Sequence, residues 1–179
     1  MIVLENFKTE YRFDKTVTNI VICIYRKPVK DADSSHINRT LAQLFKELEQ
    51  KKGKTAVAYT FGDGIVDARG FTEPEDHIVY ASECKERSAP LSHIWLMGMA
   101  LLEEKEREDR KNGLTSKNIL YLLTDESFRR VDTEKILTAM ENRFRAVKVK
   151  PVLVTDQQSS KNEGRLEAYI RNNGEIYNV

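Results

Sequence analysis

Apolar and polar positions along this chain follow two periods, and the two alternate. Residues 20–25 read IVICIY, apolar and rich in β-branched side chains with no polar interruption. Such a run predicts a strand covered on both faces by other elements. Residues 55–61 (TAVAYTF), 118–124 (NILYLLT) and 149–155 (VKPVLVT) predict further strands, and EIYNV at the carboxyl end a short last one. Gly62-Asp63-Gly64 is a turn signal, so 65–71 (IVDARGF) should return as a hairpin against 55–61. Between these runs the period changes to that of a helix. Ile37, Leu41, Leu44, Phe45 and Leu48 recur at helical spacing, with Ser34 or Ser35 placed to cap the start and Gly53 to end it. Residues 89–104 carry Leu91, Ile94, Met97 and Leu101 with Trp95, Gly98 and Leu102 beside them, which predicts a broad apolar face packed as core. Ile136, Met140 and Phe144 mark a third helix over about 132–146, and Leu166, Tyr169 and Ile170 a fourth that stops at Gly174.

Strands that alternate with helices of this length predict an α/β fold with a doubly wound, mostly parallel sheet. The expected sheet has six strands in the order 3-2-1-4-5-6, with 65–71 as its one antiparallel edge strand and helices on both faces. The domain is expected to span 18–179. Residues 1–17 alternate loosely (Val3, Phe7, Tyr11, Phe13) and read as an amino-terminal arm or edge strand. Ligands of such folds bind beyond the carboxyl ends of the strands where the strand order reverses. In this chain that rim carries the loops after Tyr25, near Ser88 and after Thr124.

Composition narrows the partners. A chain of 179 residues is one domain of ordinary size. A formal net charge of +1 gives no electrostatic case for nucleic acid or an anionic membrane surface. No run approaches the roughly 20 apolar residues of a membrane span, and the amino terminus lacks the features of a secretion signal. A cytoplasmic protein is expected. Cys23 lies in an apolar run and Cys84 in a polar one, a poor basis for a disulfide framework, so both are expected to be reduced. Asn38-Arg39-Thr40 matches a glycosylation triplet but reads as a helix surface in this setting.

The common catalytic signatures fail. Gly53-Lys54-Thr55 resembles the tail of a phosphate-binding loop, yet the position five before Gly53 is Leu48, and the segment runs from helix to strand rather than strand to helix. No Gly-x-Gly-x-x-Gly follows the first strand. His36, His77 and His93 are scattered without a metal-binding spacing, and Ser34, Ser35 and Ser92 sit near helix starts, where capping accounts for them. The sequence therefore offers no nucleophile with a base and no cofactor loop, and no enzymatic activity is expected.

Three stretches together carry a resemblance. Residues 57–78 (VAYTFGDGIVDARGFTEPEDHI) contain a strand, a Phe-Gly-Asp turn and an edge strand; residues 86–104 (ERSAPLSHIWLMGMALLEE) contain a loop and a long helix; residues 118–127 (NILYLLTDES) are a buried strand ending in Leu-Thr-Asp. In this order and spacing they resemble the von Willebrand factor A domain family over residues about 18–179. In that family a rim site holds Mg²⁺ or a similar ion through Asp-x-Ser-x-Ser after the first strand, a Thr in the middle loop and an Asp after the fourth strand, and a hard cation of this kind wants about six oxygens. Carried over, Ser88 stands for the loop Thr and Asp125 for the later Asp, a remnant metal set that keeps an oxygen at each position. The leading Asp, however, falls on Tyr25 or Arg26, in the stretch Tyr25-Arg26-Lys27-Pro28-Val29-Lys30, and neither register restores the serines. Asp31, Asp33 and Ser35 could fold back as substitutes but read more simply as loop and cap groups. Arg26 or Lys27 could neutralise Asp125 as the cation does elsewhere, or Asp125 could cap its own loop. The resemblance thus implies a binding surface of Tyr25, Arg26, Lys27, Ser88, Asp125 and Glu126. It implies a non-enzymatic protein-binding module, a scaffold or regulatory subunit, with no cofactor beyond a weakly held Mg²⁺. The alternatives are a metal-dependent adhesion module with an altered site and, with less support, an enzyme on a doubly wound sheet. Nothing in the chain identifies the partner protein.

Overall fold

A computed structural model describes residues 15–25, 42–44, 46, 48, 50, 54–63, 65–72, 91–124, 138–139, 142–143, 150–155 and 165–178. Six strands form one sheet: β1 (Thr16–Tyr25), β2 (Thr55–Asp63), β3 (Ile65–Thr72), β4 (Thr115–Thr124), β5 (Lys150–Thr155) and β6 (Glu175–Asn178). Their order is β3-β2-β1-β4-β5-β6, as the sequence pattern predicts. Only β2 and β3 pair antiparallel; β1 pairs parallel with β2 and with β4, and β5 pairs parallel with β4 and β6. Helix α1 (Leu91–Lys111) follows β3 and helix α2 (Arg165–Asn173) precedes β6, with further helical residues at 42–44, 46, 48, 138–139 and 142–143. No helix among the described residues is long and apolar enough to cross a membrane.

The alternation of side chains along the central strands divides the core in two. Val21 and Cys23 of β1, Ala58 of β2, and Leu120 and Leu122 of β4 face Ile94, Trp95, Met99 and Leu102 of α1 and Ile170 of α2. Ile20, Ile22 and Ile24 face the other way, with Val57, Tyr59, Leu123 and Val152, against Leu48 and the half-buried Leu44. Helices thus cover both faces, which is why β1 tolerates, and requires, the uninterrupted run IVICIY. Each fully buried Ile or Leu contributes about 1.5–3 kcal/mol relative to exposure.

Helix α1 differs from its expected form in two ways. Its buried stripe is Ile94, Trp95, Gly98, Met99 and Leu102, whereas Met97, expected within the core, is 40% exposed and Leu101 is half-buried. The stripe is rotated because Gly98 sets the closest approach: a Cβ there would lie 2.6 Å from Cys23 Sγ and 3.1 Å from Val21 Cγ1. The helix also runs to Lys111, through the charged segment beyond 104. Ion pairs one turn apart, Lys105 with Asp109 at 3.0 Å and Glu106 with Arg110 at 2.6 Å, support that extension. A Schellman motif ends it: the Leu114 amide bonds the Asp109 carbonyl at 2.9 Å, the Gly113 amide bonds that of Arg110 at 3.1 Å, and Gly113 takes φ 71°. The chain then enters β4 at once, where Thr115 N bonds Lys15 O at 2.9 Å. β1 accordingly begins at Thr16 and includes Val17, both within the stretch 1–17 that the sequence pattern read as an arm or edge strand; residues 1–14 lie outside the described residues.

Candidate functional site

The rim at the carboxyl ends of β1 and β4 is where the strand order reverses. From β1 the chain goes first to β2 and β3 on one side, then to β4, β5 and β6 on the other. The parallel register places Tyr25, the last residue of β1, opposite Thr124, the last of β4. Asp125 follows Thr124 and Arg26 follows Tyr25 in sequence. Tyr25 itself is half-buried and packs on the α1-side core with Val21 and Cys23. Tyr25, one of the two positions on which the resemblance puts the leading acid of an ion-binding motif, is thus an aromatic ring seated on apolar neighbours. It supplies no carboxylate, and apolar packing disfavours a divalent ion beside it. Arg26, Lys27, Ser88, Asp125 and Glu126 lie outside the described residues.

Directly beneath that rim, on the α1 side of the core, Thr60, Cys23 and the Ile94 carbonyl form a small polar group. Thr60 Oγ1 donates to the Ile94 carbonyl at 3.0 Å and lies 3.3 Å from Cys23 Sγ, which is 3.8 Å from the same carbonyl. Cys23 is free and fully buried. Burial pushes its thiol up to about 12 against the opposing hydrogen bond from Thr60, so the group is a neutral packing element and not a nucleophile.

At the opposite end of the sheet lies a buried polar cluster that pattern reading missed. Asn19 of β1 and Asn118 of β4 are register partners, both buried, on the face that meets α1. Asn19 Nδ2 donates to Asp109 Oδ2 at 2.6 Å and to Asn118 Oδ1 at 3.3 Å. Asp109 is 1% exposed and also accepts from Ser116 Oγ at 2.8 Å and from Lys105 Nζ at 3.0 Å. Asn118 Nδ2 in turn donates to Glu106 Oε2 at 3.2 Å. Burial raises the Asp109 pKa, but the hydrogen bonds from Asn19, Ser116 and Lys105 and the Lys105 charge outweigh it and hold the carboxyl below its ordinary value. Burial lowers the Lys105 pKa, and the hydrogen bonds and charges of Asp109 and Glu108 overcome that effect and raise it. The signal was present in the sequence: each of the two central strands carries an Asn immediately before its apolar run, in TNIVICIY and KNILYLL. The cluster is far from the strand ends where ligands of such sheets bind, and its carboxylate is held by Asn19, Ser116 and Lys105, which marks it as a structural joint of α1 to β1 and β4.

No protein-family model matches the sequence, and no curated protein matches it. Among solved structures, the crystal structure of the SpRpn10 VWA domain is similar, with a TM-score of 0.62 at 12% identity, covering 91% of this chain and 87% of that one. An uncharacterized membrane spanning protein from Vibrio fischeri aligns with a TM-score of 0.30 at 10% identity over 92% of this chain and 90% of its own, too low to carry an argument. The sheet order, the one antiparallel edge strand, the helices on both faces and the SpRpn10 domain's similarity agree: the fold is von Willebrand factor A-like.

Proposed function

We propose that this chain is a non-enzymatic protein-interaction module that binds its partner through the rim beyond β1 and β4, without a metal ion. The observation that carries the reading is the register Tyr25 opposite Thr124, with Tyr25 packed on the core. The register sets the last residues of the two strands side by side, and the sequence has Tyr25 or Arg26, neither of them a carboxylate, where the resemblance would put the leading acid of the ion-binding motif. Losing a carboxylate beside a divalent ion removes several kcal/mol of attraction at an effective dielectric near 20. With the motif's two serines absent as well, too few oxygens remain for a site selective for Mg²⁺. Asp125 then needs another counter-charge, and Arg26 or Lys27, one or two residues past Tyr25, is suited to supply it while offering donors to an acidic group on the partner.

Titration calorimetry with millimolar Mg²⁺ or Mn²⁺ tests the metal. No binding heat is expected, and EDTA should leave capture of the partner unchanged. The alternative, a metal-dependent adhesion module with an altered site, requires saturable binding of either ion that is lost in Asp125→Ala. Capture that survives Arg26→Glu combined with Lys27→Glu would move the binding face away from this rim.

A further inference from the structure

We propose that the end of the sheet opposite the rim is a second binding surface, where Lys15, Lys54, Lys111 and Lys117 take an acidic segment of a partner polypeptide. The fold gathers these residues at the amino-terminal ends of β1, β2 and β4. Lys15 precedes β1, and its carbonyl accepts from the Thr115 amide at 2.9 Å. Lys54 precedes β2, and its carbonyl accepts from the Thr18 amide at 2.8 Å. Lys117 of β4 is the register partner of the same Thr18, and Lys111 ends α1 just before the turn into β4. With neighbouring strands about 4.8 Å apart, all four backbone positions fall within about 15 Å of Thr16.

All four lysines are exposed. The carboxylates that α1 brings to the same end are engaged by cations of that helix. Asp109 is buried and bonds Lys105 at 3.0 Å, Glu108 pairs with Lys105 at 3.1 Å, and Glu106 pairs with Arg110 at 2.6 Å. Residues 105–110 carry three cations and three acids, so that stretch is neutral and the four lysines are the excess among the described residues of this end. The formal net charge of +1 for the whole chain conceals this local concentration. The α1 macrodipole favours a cation at Lys111. Lys15, Lys54 and Lys117 stand in or beside strands, whose net dipoles are small.

The makeup of the surface selects its ligand. A lysine ammonium is a compact point charge on a flexible stem, suited to successive carboxylates, whereas bidentate capture of phosphate favours arginine. Binding of single-stranded nucleic acid adds aromatic platforms for the bases, and residues 15–19, 54–56 and 105–118 contain no aromatic side chain. A membrane surface calls for apolar anchors. The exposed large hydrophobic residues of α1, Leu96 and Met97, lie toward its other end. An extended segment of Asp and Glu presents carboxylates about 7 Å apart along one side, a spacing that lysine side chains gathered in this way can meet.

Fluorescence anisotropy of a labelled oligoglutamate with the full chain should show saturable binding at about 0.01 M salt, with a dissociation constant of about 1–100 µM. Raising the salt to about 0.15 M shortens the Debye length from about 30 to about 8 Å and should weaken binding about tenfold or more. Lys54→Glu combined with Lys117→Glu should raise the low-salt dissociation constant about tenfold or more. A wild type that does not bind, or a reversed variant that folds and binds as before, overturns the proposal. Binding lost instead on reversing Arg26 and Lys27 to Glu, with the lysine reversal without effect, assigns the acidic ligand to the rim and overturns it too. Duplex DNA, or vesicles of phosphatidylserine and phosphatidylcholine, that bind more tightly than oligoglutamate overturn the choice of ligand. Should the reversed variant not fold, amide chemical shifts of the wild type decide: oligoglutamate should move residues 15–18, 54–56 and 111–117, and shifts confined to the rim overturn the surface.

Discussion

Asn19 of β1 donates a 2.6 Å hydrogen bond to Asp109, a buried carboxylate 90 residues further along the chain in the last turn of α1. The bond is long in sequence and short in space, and it fixes how α1 lies on the two central strands. A carboxylate near a helix carboxyl end is disfavoured by the macrodipole. Asn19 Oδ1, also buried, has no hydrogen-bond partner among the described residues, at a cost of about 1–3 kcal/mol. Charge-assisted bonds from Asn19, Ser116 and Lys105 to one carboxylate offset both terms.

Asp109→Asn should therefore destabilise the fold by about 1.5–3 kcal/mol, because the new amide sets a donor against the Asn19 amide and leaves Lys105 without its buried counter-ion. The pH dependence follows from the direction of the shift. Asp109 titrates below its ordinary value of 3.8 in the folded state, so its stabilisation is complete above that value and is lost as pH falls through the lower, folded one. Lys105 titrates above its ordinary 10.5, so its share is complete below that value and is lost as pH rises past it. Urea unfolding of wild type and Asp109→Asn should give curves that converge in acid and are furthest apart near neutrality. Equal separation at all pH values would exclude Asp109 as the titrating group.

Gly98→Ala should cost about 1–3 kcal/mol despite the better helix propensity of Ala, since its Cβ would lie 2.6 Å from Cys23 Sγ. Combining it with Cys23→Ala removes that atom and should recover part of the loss. A double-mutant cycle measures the coupling, and strict additivity would mean that the helix backs away from β1.

Within α1, Leu102→Ala should cost about 2–5 kcal/mol, as Leu102 is fully buried. Met97→Ala, at a position 40% exposed, should stay within about 0.5 kcal/mol. Chemical denaturation of the two variants checks the rotational phase of the helix, and a larger effect at Met97 would reverse it.

The Cys23 thiol, buried and pushed up to about 12, should resist alkylation in the native state. In a Cys84→Ser background, its labelling rate should follow the global unfolding equilibrium as denaturant is added. Fast labelling without denaturant would show that the α1 face opens locally. Thr60→Val, which removes the hydroxyl bonded to the Ile94 carbonyl, should cost about 0.5–1.5 kcal/mol in the same background.

The strands and their order were legible in the chain. An unbroken apolar run such as IVICIY or NILYLLT requires cover on both faces, and alternation with helices then restricts the topology to a doubly wound sheet. The charged tail of α1 was not legible as helix, because its apolar period ends near Leu102 while its stability comes from side-chain ion pairs and from the burial of Asp109. Nor was the face of α1 that enters the core, since Met97 and Met99 fit a helical stripe equally well until Gly98 meets Cys23 and chooses between them. At the rim, the sequence alone determined that neither Tyr25 nor Arg26 carries a carboxylate. Tertiary structure decided that Tyr25 ends its strand opposite Thr124 and turns its ring onto the core. Sequence periodicity records which residues must leave water; which of them touch is set by register and close approach between segments far apart in the chain, and no local pattern encodes that.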